Sequence, residues 1–207
     1  MAPSARRGPG GDFVGPWYTW WRGDPLPALP PLPGFAVAPA DDDRALAALA
    51  GLGVAEVAAR RRAGHRPYLA RLGGEPVAHG WSSGGAVEIG ELGLAFTLPP
   101  GERYLWGFAT AARWRGRGLY PRLLQAILRR EGLAGGRYWI GHTPENAASA
   151  RGILKAGFGQ VGDVYRLPTG RFALVPTGPL ERARRGAALL GAELHDAELH
   201  GGGDGGG

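Results

Sequence analysis

Arg115-Gly116-Arg117-Gly118-Leu119-Tyr120 is the stretch on which the reading of this chain turns, because an apolar run precedes it and an amphipathic segment follows it. Upstream, Tyr104 to Thr110 (YLWGFAT) carries aromatic and bulky apolar residues with no charge after Arg103, the composition of a buried strand. Downstream, Leu119, Leu123, Leu124, Ile127 and Leu128 recur at helical spacing, so the glycines fall on the first turn of a helix. A helix start leaves backbone N–H groups unpaired and bears a partial positive charge, so a glycine loop there is a candidate pyrophosphate site. Two familiar phosphate loops are excluded. A Rossmann fingerprint needs a third glycine three residues after the second, where Pro121 stands, and a P-loop needs Gly-Lys-Ser/Thr, which is absent.

A second segment extends the pattern. Tyr138, Trp139 and Ile140 form another short apolar strand ending at Gly141-His142-Thr143. Pro144-Glu145-Asn146-Ala147-Ala148-Ser149 follows, and then Lys155-Ala156-Gly157-Phe158. Arg-x-x-Gly-x-Gly/Ala after a strand and before a helix, followed by a strand, an Asn-led helix and a Gly-Phe pair, resembles the GNAT N-acetyltransferase superfamily over roughly residues 103 to 158. Tyr120 stands where that pattern usually has Gly or Ala.

The resemblance implies an α+β fold of three layers, a mixed and mostly antiparallel sheet with helices on both faces. It further implies that Phe108, Ala109 and Thr110 offer a strand edge to the pantetheine arm of acetyl-CoA, the co-substrate. Arg115, Gly116, Arg117, Gly118, Leu119 and Tyr120 would cradle its pyrophosphate, with Arg113 near the phosphates, and Asn146 would contact it after the fifth strand. Many family members carry a Tyr seven residues after this Asn to protonate the departing thiolate; here that position is Ile153. Substitutes come from the residues themselves. Glu88 and Glu91 lie in the extended stretch before the cofactor strand, where an apolar setting raises a carboxylate pKa. Glu91 and His142, which follows the fifth strand, are the catalytic candidates, with Tyr104 and Tyr120 as fallback acids. His65 and His79 have no partner at metal-ligand spacing, so no metal is expected.

Composition bounds the rest. A chain of 207 residues is long enough for one well-buried domain plus tails. It has no cysteine, hence no disulfide or Cys-based zinc site. No run of eighteen apolar residues occurs, and the start lacks the apolar core of a secretory signal, which fits a soluble cytoplasmic protein with no membrane partner. Net charge is +6, yet the basic residues are 23 arginines and the single Lys155, a bias of GC-rich bacterial genomes. Their clusters, Arg60-Arg61-Arg62, Arg129-Arg130 and Arg182, Arg184, Arg185, fall at helix ends rather than along an aromatic-studded stripe, so no nucleic-acid partner is expected.

Residues 1–34 read as a disordered, Pro- and Trp-rich N-terminal arm, with Pro25 to Pro33 extended. Trp17, Tyr18, Trp20 and Trp21 present too much aromatic surface to leave in water, so they dock on the domain, on a second subunit of a homodimer, or line the acceptor pocket. The acyltransferase domain is placed over 35–177, a C-terminal helix over 178–196 and a Gly-rich disordered tail over 197–207. Within the domain, Asp41-Asp42-Asp43 caps one or two helices interrupted at Gly51 and Gly53. Gly73-Gly74 and Pro168-Thr169-Gly170 each mark a hairpin, and Val87 to Leu94 a further extended stretch. The implied function is transfer of an acetyl group from acetyl-CoA to a primary amine of a small molecule or protein. Two alternatives stand beside it, a CoA-binding module without efficient transfer and an interaction module built on the Trp cluster and Pro-rich arm.

Overall fold

A computed structural model describes residues 9–90, 93–132 and 136–195. Glu91 and the tail over 197–207 lie outside the described residues. In chain order the elements are β1 (Asp12–Trp21), β2 (Phe35–Pro39), α1 (Asp43–Ala50), α2 (Val54–Arg62), β3 (Arg66–Leu72), β4 (Glu75–Ser83), β5 (Ala86–Ile89), β6 (Leu94–Thr97), β7 (Glu102–Thr110), α3 (Leu119–Glu131), β8 (Arg137–Gly141), α4 (Ala147–Lys155), β9 (Gly159–Arg166), β10 (Phe172–Pro176), α5 (Leu180–Leu190) and β11 (Glu193–Leu194). Nine strands form one sheet in the order β11-β10-β9-β1-β8-β7-β4-β3-β2, and β5 and β6 pair apart from it. Adjacent strands run antiparallel except at β7–β8 and β10–β11.

Alternate residues of the central strands feed two opposite layers, as a two-faced sheet requires. Tyr18, Trp20, Tyr138 and Ile140 join Leu123, Leu124, Ile127 and Ile153 under α3 and α4. Trp17 and Trp139 point the other way, with Val161, Ala183 and Ala187 under α5. Leu69 and Trp81 meet Leu46 and Val57 of α1 and α2 on that same side. The three-layer architecture follows from this division. Asp42 caps α1 by accepting hydrogen bonds from the Arg44 and Ala45 amides, each at 2.9 Å. Such a cap contributes about 1 kcal/mol.

The chief correction concerns the first 34 residues. Residues 12–21 are no arm outside the domain: β1 lies in the middle of the sheet, with Trp17 to Trp21 paired to Gly141 to Arg137 and Asp12 to Thr19 paired along β9. Both faces of β1 are covered, so Trp17, Tyr18 and Trp20 are 5%, 3% and 9% exposed. A near-continuous aromatic run is what a strand buried on both sides demands. The Pro-rich stretch after it is irregular and packs along α3, where Gln125 donates to the Pro27 carbonyl at 2.9 Å. Two smaller differences follow. The extended stretch from Val87 splits into the β5–β6 hairpin off the main sheet, and the last helix ends at Gly191, in the left-handed conformation, before β11.

Candidate active site

β7 and β8 run side by side only from Glu102↔Arg137 to Tyr104↔Trp139. At that paired end Glu102, whose side chain is 3% exposed, accepts from the Trp139 indole at 2.7 Å and from Arg137 and Arg185 at 3.1 and 2.5 Å. Beyond Tyr104 the strands part. β7 is turned by a bulge: between the pairs His79↔Ala109 and Trp81↔Trp106 the single Gly80 of β4 faces both Gly107 and Phe108, so β7 carries one extra residue. Gly107 takes φ +61°, a conformation open to glycine. Parted strands and a bulged edge leave β7 from Leu105 onward without a sheet partner on its β8 side, free to accept an extended ligand by strand addition.

A cleft of about 650 Å³ opens at this point. Its lining includes Phe108 and Ala109 of β7, Tyr120, Asn146, Ser149 and His142, and also His65, His79, Arg60 and Trp106 toward α1 and α2. Tyr120, in the first turn of α3, joins that helix to the cleft. Gly118 precedes that helix at φ +68°, and no side chain caps its first amides. The glycine loop therefore presents unclaimed N–H groups at the positive end of a helix dipole, with Pro121 contributing none.

The loop arginines are partly committed elsewhere. Arg113 pairs with Glu75, Arg117 lies 4.6 Å over the Trp114 ring, and Arg115 Nε donates to the Thr110 carbonyl at 3.2 Å. Arg113 thus points at a carboxylate rather than at the loop, where the uncapped backbone amides remain as donors. Asn146 caps α4 by accepting from the Ser149 amide at 3.0 Å, which leaves its side-chain NH₂ able to donate. Tyr120 lays its ring against Phe108, with centroids 5.3 Å apart, and shares a 3.2 Å hydrogen bond with Ser149 Oγ. Its ring needs Gly152 beneath it, since a Cβ there would meet Tyr120 Cδ1 at 2.4 Å. Ile153 is wholly buried under the sheet and reaches no cleft.

Among the catalytic candidates, His142 lies in the cleft and Glu88 is an exposed rim residue on β5. His142 Nδ1 is 2.8 Å from the Thr143 carbonyl, an acceptor only, so that nitrogen carries the proton. In the neutral ring Nε2 then accepts from the Tyr18 hydroxyl at 3.1 Å. Burial raises the pKa of Tyr18, and burial likewise raises those of Tyr104 and Tyr120, so these phenols are protonated at neutral pH.

Sequence reasoning missed the wall toward α1 and α2. The Trp106 indole donates to Ser83 Oγ at 2.6 Å, and the same oxygen lies 2.7 Å from His65 Nδ1. Arg60 covers the Trp106 and Trp81 rings at 5.0 and 5.5 Å. His79 is 4% exposed, and neither ring nitrogen has a hydrogen-bond partner among the described residues. Burial, and then the Arg60 charge, hold its pKa down to about 4; both influences also lower that of His65. No spacing motif announces this wall, because its members come from α2, the residue before β3, β4 and β7 and meet only in the folded chain.

The acetyltransferase (GNAT) family model matches residues 17–158, more than half of the chain. No curated protein matches the chain in sequence. Among solved structures, an acetyltransferase of the GNAT family from Colwellia psychrerythraea is similar at 14% identity and TM-score 0.51, over 73% of this chain and 55% of that one. A GCN5-related N-acetyltransferase from Kribbella flavida is similar at 19% identity and TM-score 0.47, over 71% and 54%. The chain thus spans little more than half the length of these two. The aminoglycoside acetyltransferase AAC(6')-Ib, solved in complex with coenzyme A, is similar at 21% identity and TM-score 0.50, over 66% of this chain and 90% of that one. With the parted β7–β8 pair, the bulge, the uncapped glycine-loop helix and the family match over one continuous region, the chain belongs to the GNAT acetyltransferase family.

Proposed function

We propose that the protein is an acetyl-CoA-dependent N-acetyltransferase that acetylates a primary amine of a small molecule or protein by direct attack within a ternary complex. One observation carries the reading. The free edge of β7 and Tyr120, in the first turn of the uncapped helix α3, line the same cleft, a strand edge for an amide-bearing arm next to a helix start whose amides suit a pyrophosphate. The residues fit coenzyme A. Phe108, Ala109 and Thr110 supply the strand edge, Arg115, Gly116, Arg117, Gly118, Leu119 and Tyr120 the loop, and Asn146 a side-chain donor. A relative of known structure binds coenzyme A and, in another crystal, coenzyme A with kanamycin, which supports an amine acceptor here.

Acetyl-CoA supplies the activated acyl group. The amine nitrogen attacks the thioester carbonyl, the C–S bond breaks, the acetyl group stays on nitrogen, and one N–H proton ends on the sulfur. His142 is assigned the proton leaving the amine, with Tyr18 donating to Nε2 and Thr143 fixing the ring until substrate arrives. Glu91, which follows the cleft residues Ile89 and Gly90 in sequence, is the second candidate for that role. Tyr120, held by Ser149 and protonated at neutral pH, takes the place that Ile153 cannot fill as donor to the thiolate. The same cleft serves a module that binds CoA without transfer, so turnover decides between them.

Calorimetric titration with acetyl-CoA tests the reading, with Gly118→Ala and Gly118→Asp as controls. Both variants strain the left-handed position, but only Asp sets a carboxylate against phosphate. Micromolar binding by the native chain, weakened by Ala and abolished by Asp, is expected. No binding by the native chain removes the enzyme reading.

A further inference from the structure

The cleft has a second half that the cofactor does not explain. Toward α1 and α2 it is lined by Trp106, Leu52, Ile89, Arg60, His65 and His79. Within that wall His79 is anomalous. It stands on β4 directly across from Ala109, the middle of the three residues whose edge would hold the pantetheine arm. It is 4% exposed, yet both ring nitrogens lack partners among the described residues. A buried polar side chain is normally hydrogen-bonded, and leaving it otherwise is a standing cost to the fold. Nearby His65 shows the ordinary solution, since Ser83 satisfies its Nδ1 at 2.7 Å. A neutral imidazole has one donor and one acceptor to offer, and at His79 neither is used among the described residues, although the ring lines the cleft beside β7.

We propose that the His79 imidazole is a specificity-determining contact for the acceptor, accepting a hydrogen bond from its nucleophilic nitrogen, and that the adjacent Arg60 guanidinium selects amines that arrive uncharged. The inference rests on the acetyltransferase reading and names its substrate class. The charged groups around this wall are few. Arg60 acts on both His65 and His79, its own partner Glu56 lies 2.6 Å away on the same helix, and Glu88 sits exposed on β5 at the rim. An alkylammonium entering here would meet a guanidinium and an imidazole that resists protonation, whereas a weakly basic aromatic amine keeps its lone pair at neutral pH. The Trp106 indole, packed against Arg60, the Trp81 ring and the edge of His65, makes this wall aromatic.

The test uses aniline and benzylamine, similar in shape and different in basicity, added to the native chain saturated with coenzyme A. Binding is followed through the ¹⁵N resonances of His79, alongside the thermal unfolding midpoint and the affinity for coenzyme A. Expected are tighter binding of aniline than of benzylamine at pH 7 and a shift of the His79 nitrogens on binding. In His79→Phe, aniline affinity should fall about tenfold, the equivalent of one lost hydrogen bond. Coenzyme A affinity should stay unchanged, and the unfolding midpoint should be equal or higher. A His79→Phe protein that melts several degrees lower with aniline binding intact would assign the imidazole to the fold and overturn the proposal. Tighter binding of benzylamine, or binding of neither probe, would also overturn it. Failure of the native chain to bind coenzyme A would instead remove the acetyltransferase reading, and the melting comparison still judges whether the fold needs the imidazole.

Discussion

Gly152→Ala is a small change for which this structure makes an unusual demand. In most helices it stabilises, because alanine is favoured over glycine by about 0.8–1 kcal/mol. Here the new Cβ would stand 2.4 Å from Tyr120 Cδ1 and 2.9 Å from Cε1, where carbon atoms rest at about 3.5–4.0 Å. The ring must retreat by roughly an ångström to restore that separation. It is hemmed in by Phe108, at 5.3 Å between centroids, and tethered to Ser149 at 3.2 Å. Overpacking of this kind costs about 1–3 kcal/mol, so the helix gain is outweighed and Gly152→Ala should destabilise by about 1 kcal/mol. For a domain of this size that is roughly 2–4 °C in Tm. Tyr120→Ala alone loses ring packing. In the double variant the alanine methyl enters the vacated space, and the two changes should couple favourably by about 1–3 kcal/mol. Urea denaturation of the four proteins measures the cycle. Additivity within about 0.5 kcal/mol, or a stabilised single Gly152→Ala variant, would refute the account of why a tyrosine is tolerated at the position where the family has Gly or Ala.

Glu102→Ala should destabilise by about 2–4 kcal/mol, at or below the usual range for breaking a buried pair because Arg137 and Arg185 are 35% and 37% exposed and can turn to water; an unchanged urea midpoint would show that the paired end of β7 and β8 is held by other contacts. Stability should also fall with acid through His79. Its folded pKa of about 4 lies below the ordinary 6.5, so the unfolded chain takes up its proton first and stability present above pH 6.5 is lost as pH falls toward 4. By pH 5 the loss from this group is about 2 kcal/mol, and His79→Phe should remove that part of the acid limb in denaturation measured between pH 7 and 5. An identical limb in the variant would mean that other groups account for it.

The segment from Tyr104 to Phe158 was legible because its signals are local: a strand, two glycines, a leucine-periodic helix, an Asn cap and a closing Gly-Phe each announce themselves within a few residues. The glycine pair at 73–74, with φ of +59° and +86°, likewise gave away the β3–β4 hairpin. What stayed hidden is non-local. β1 reads as a cluster of aromatics with nowhere to go, because its partners β8 and β9 begin more than a hundred residues later. Tyr18 enters the site through its hydrogen bond and ring contact with His142, and His79 is distinguished not by its neighbours in sequence but by the partners it lacks among the described residues. The departure at Tyr120 was visible; the glycine at 152 that makes room for it was not, since space is a property of the packed pair.

The central position of β1 sets the order in which this protein can be made. Its hydrogen-bonding edges and both its aromatic faces are claimed by residues whose codons are read last among those of the sheet's middle, as the 124-residue separation of Tyr18 and His142 illustrates. A nascent chain therefore leaves the ribosome with Trp17, Tyr18, Trp20 and Trp21 unburied until β9 has followed. Long-range closure of this kind slows folding and exposes the emerging strand to association with other chains. Removing the first 21 residues would not trim a tail but split the sheet between β8 and β9, leaving two unpaired edges in its middle.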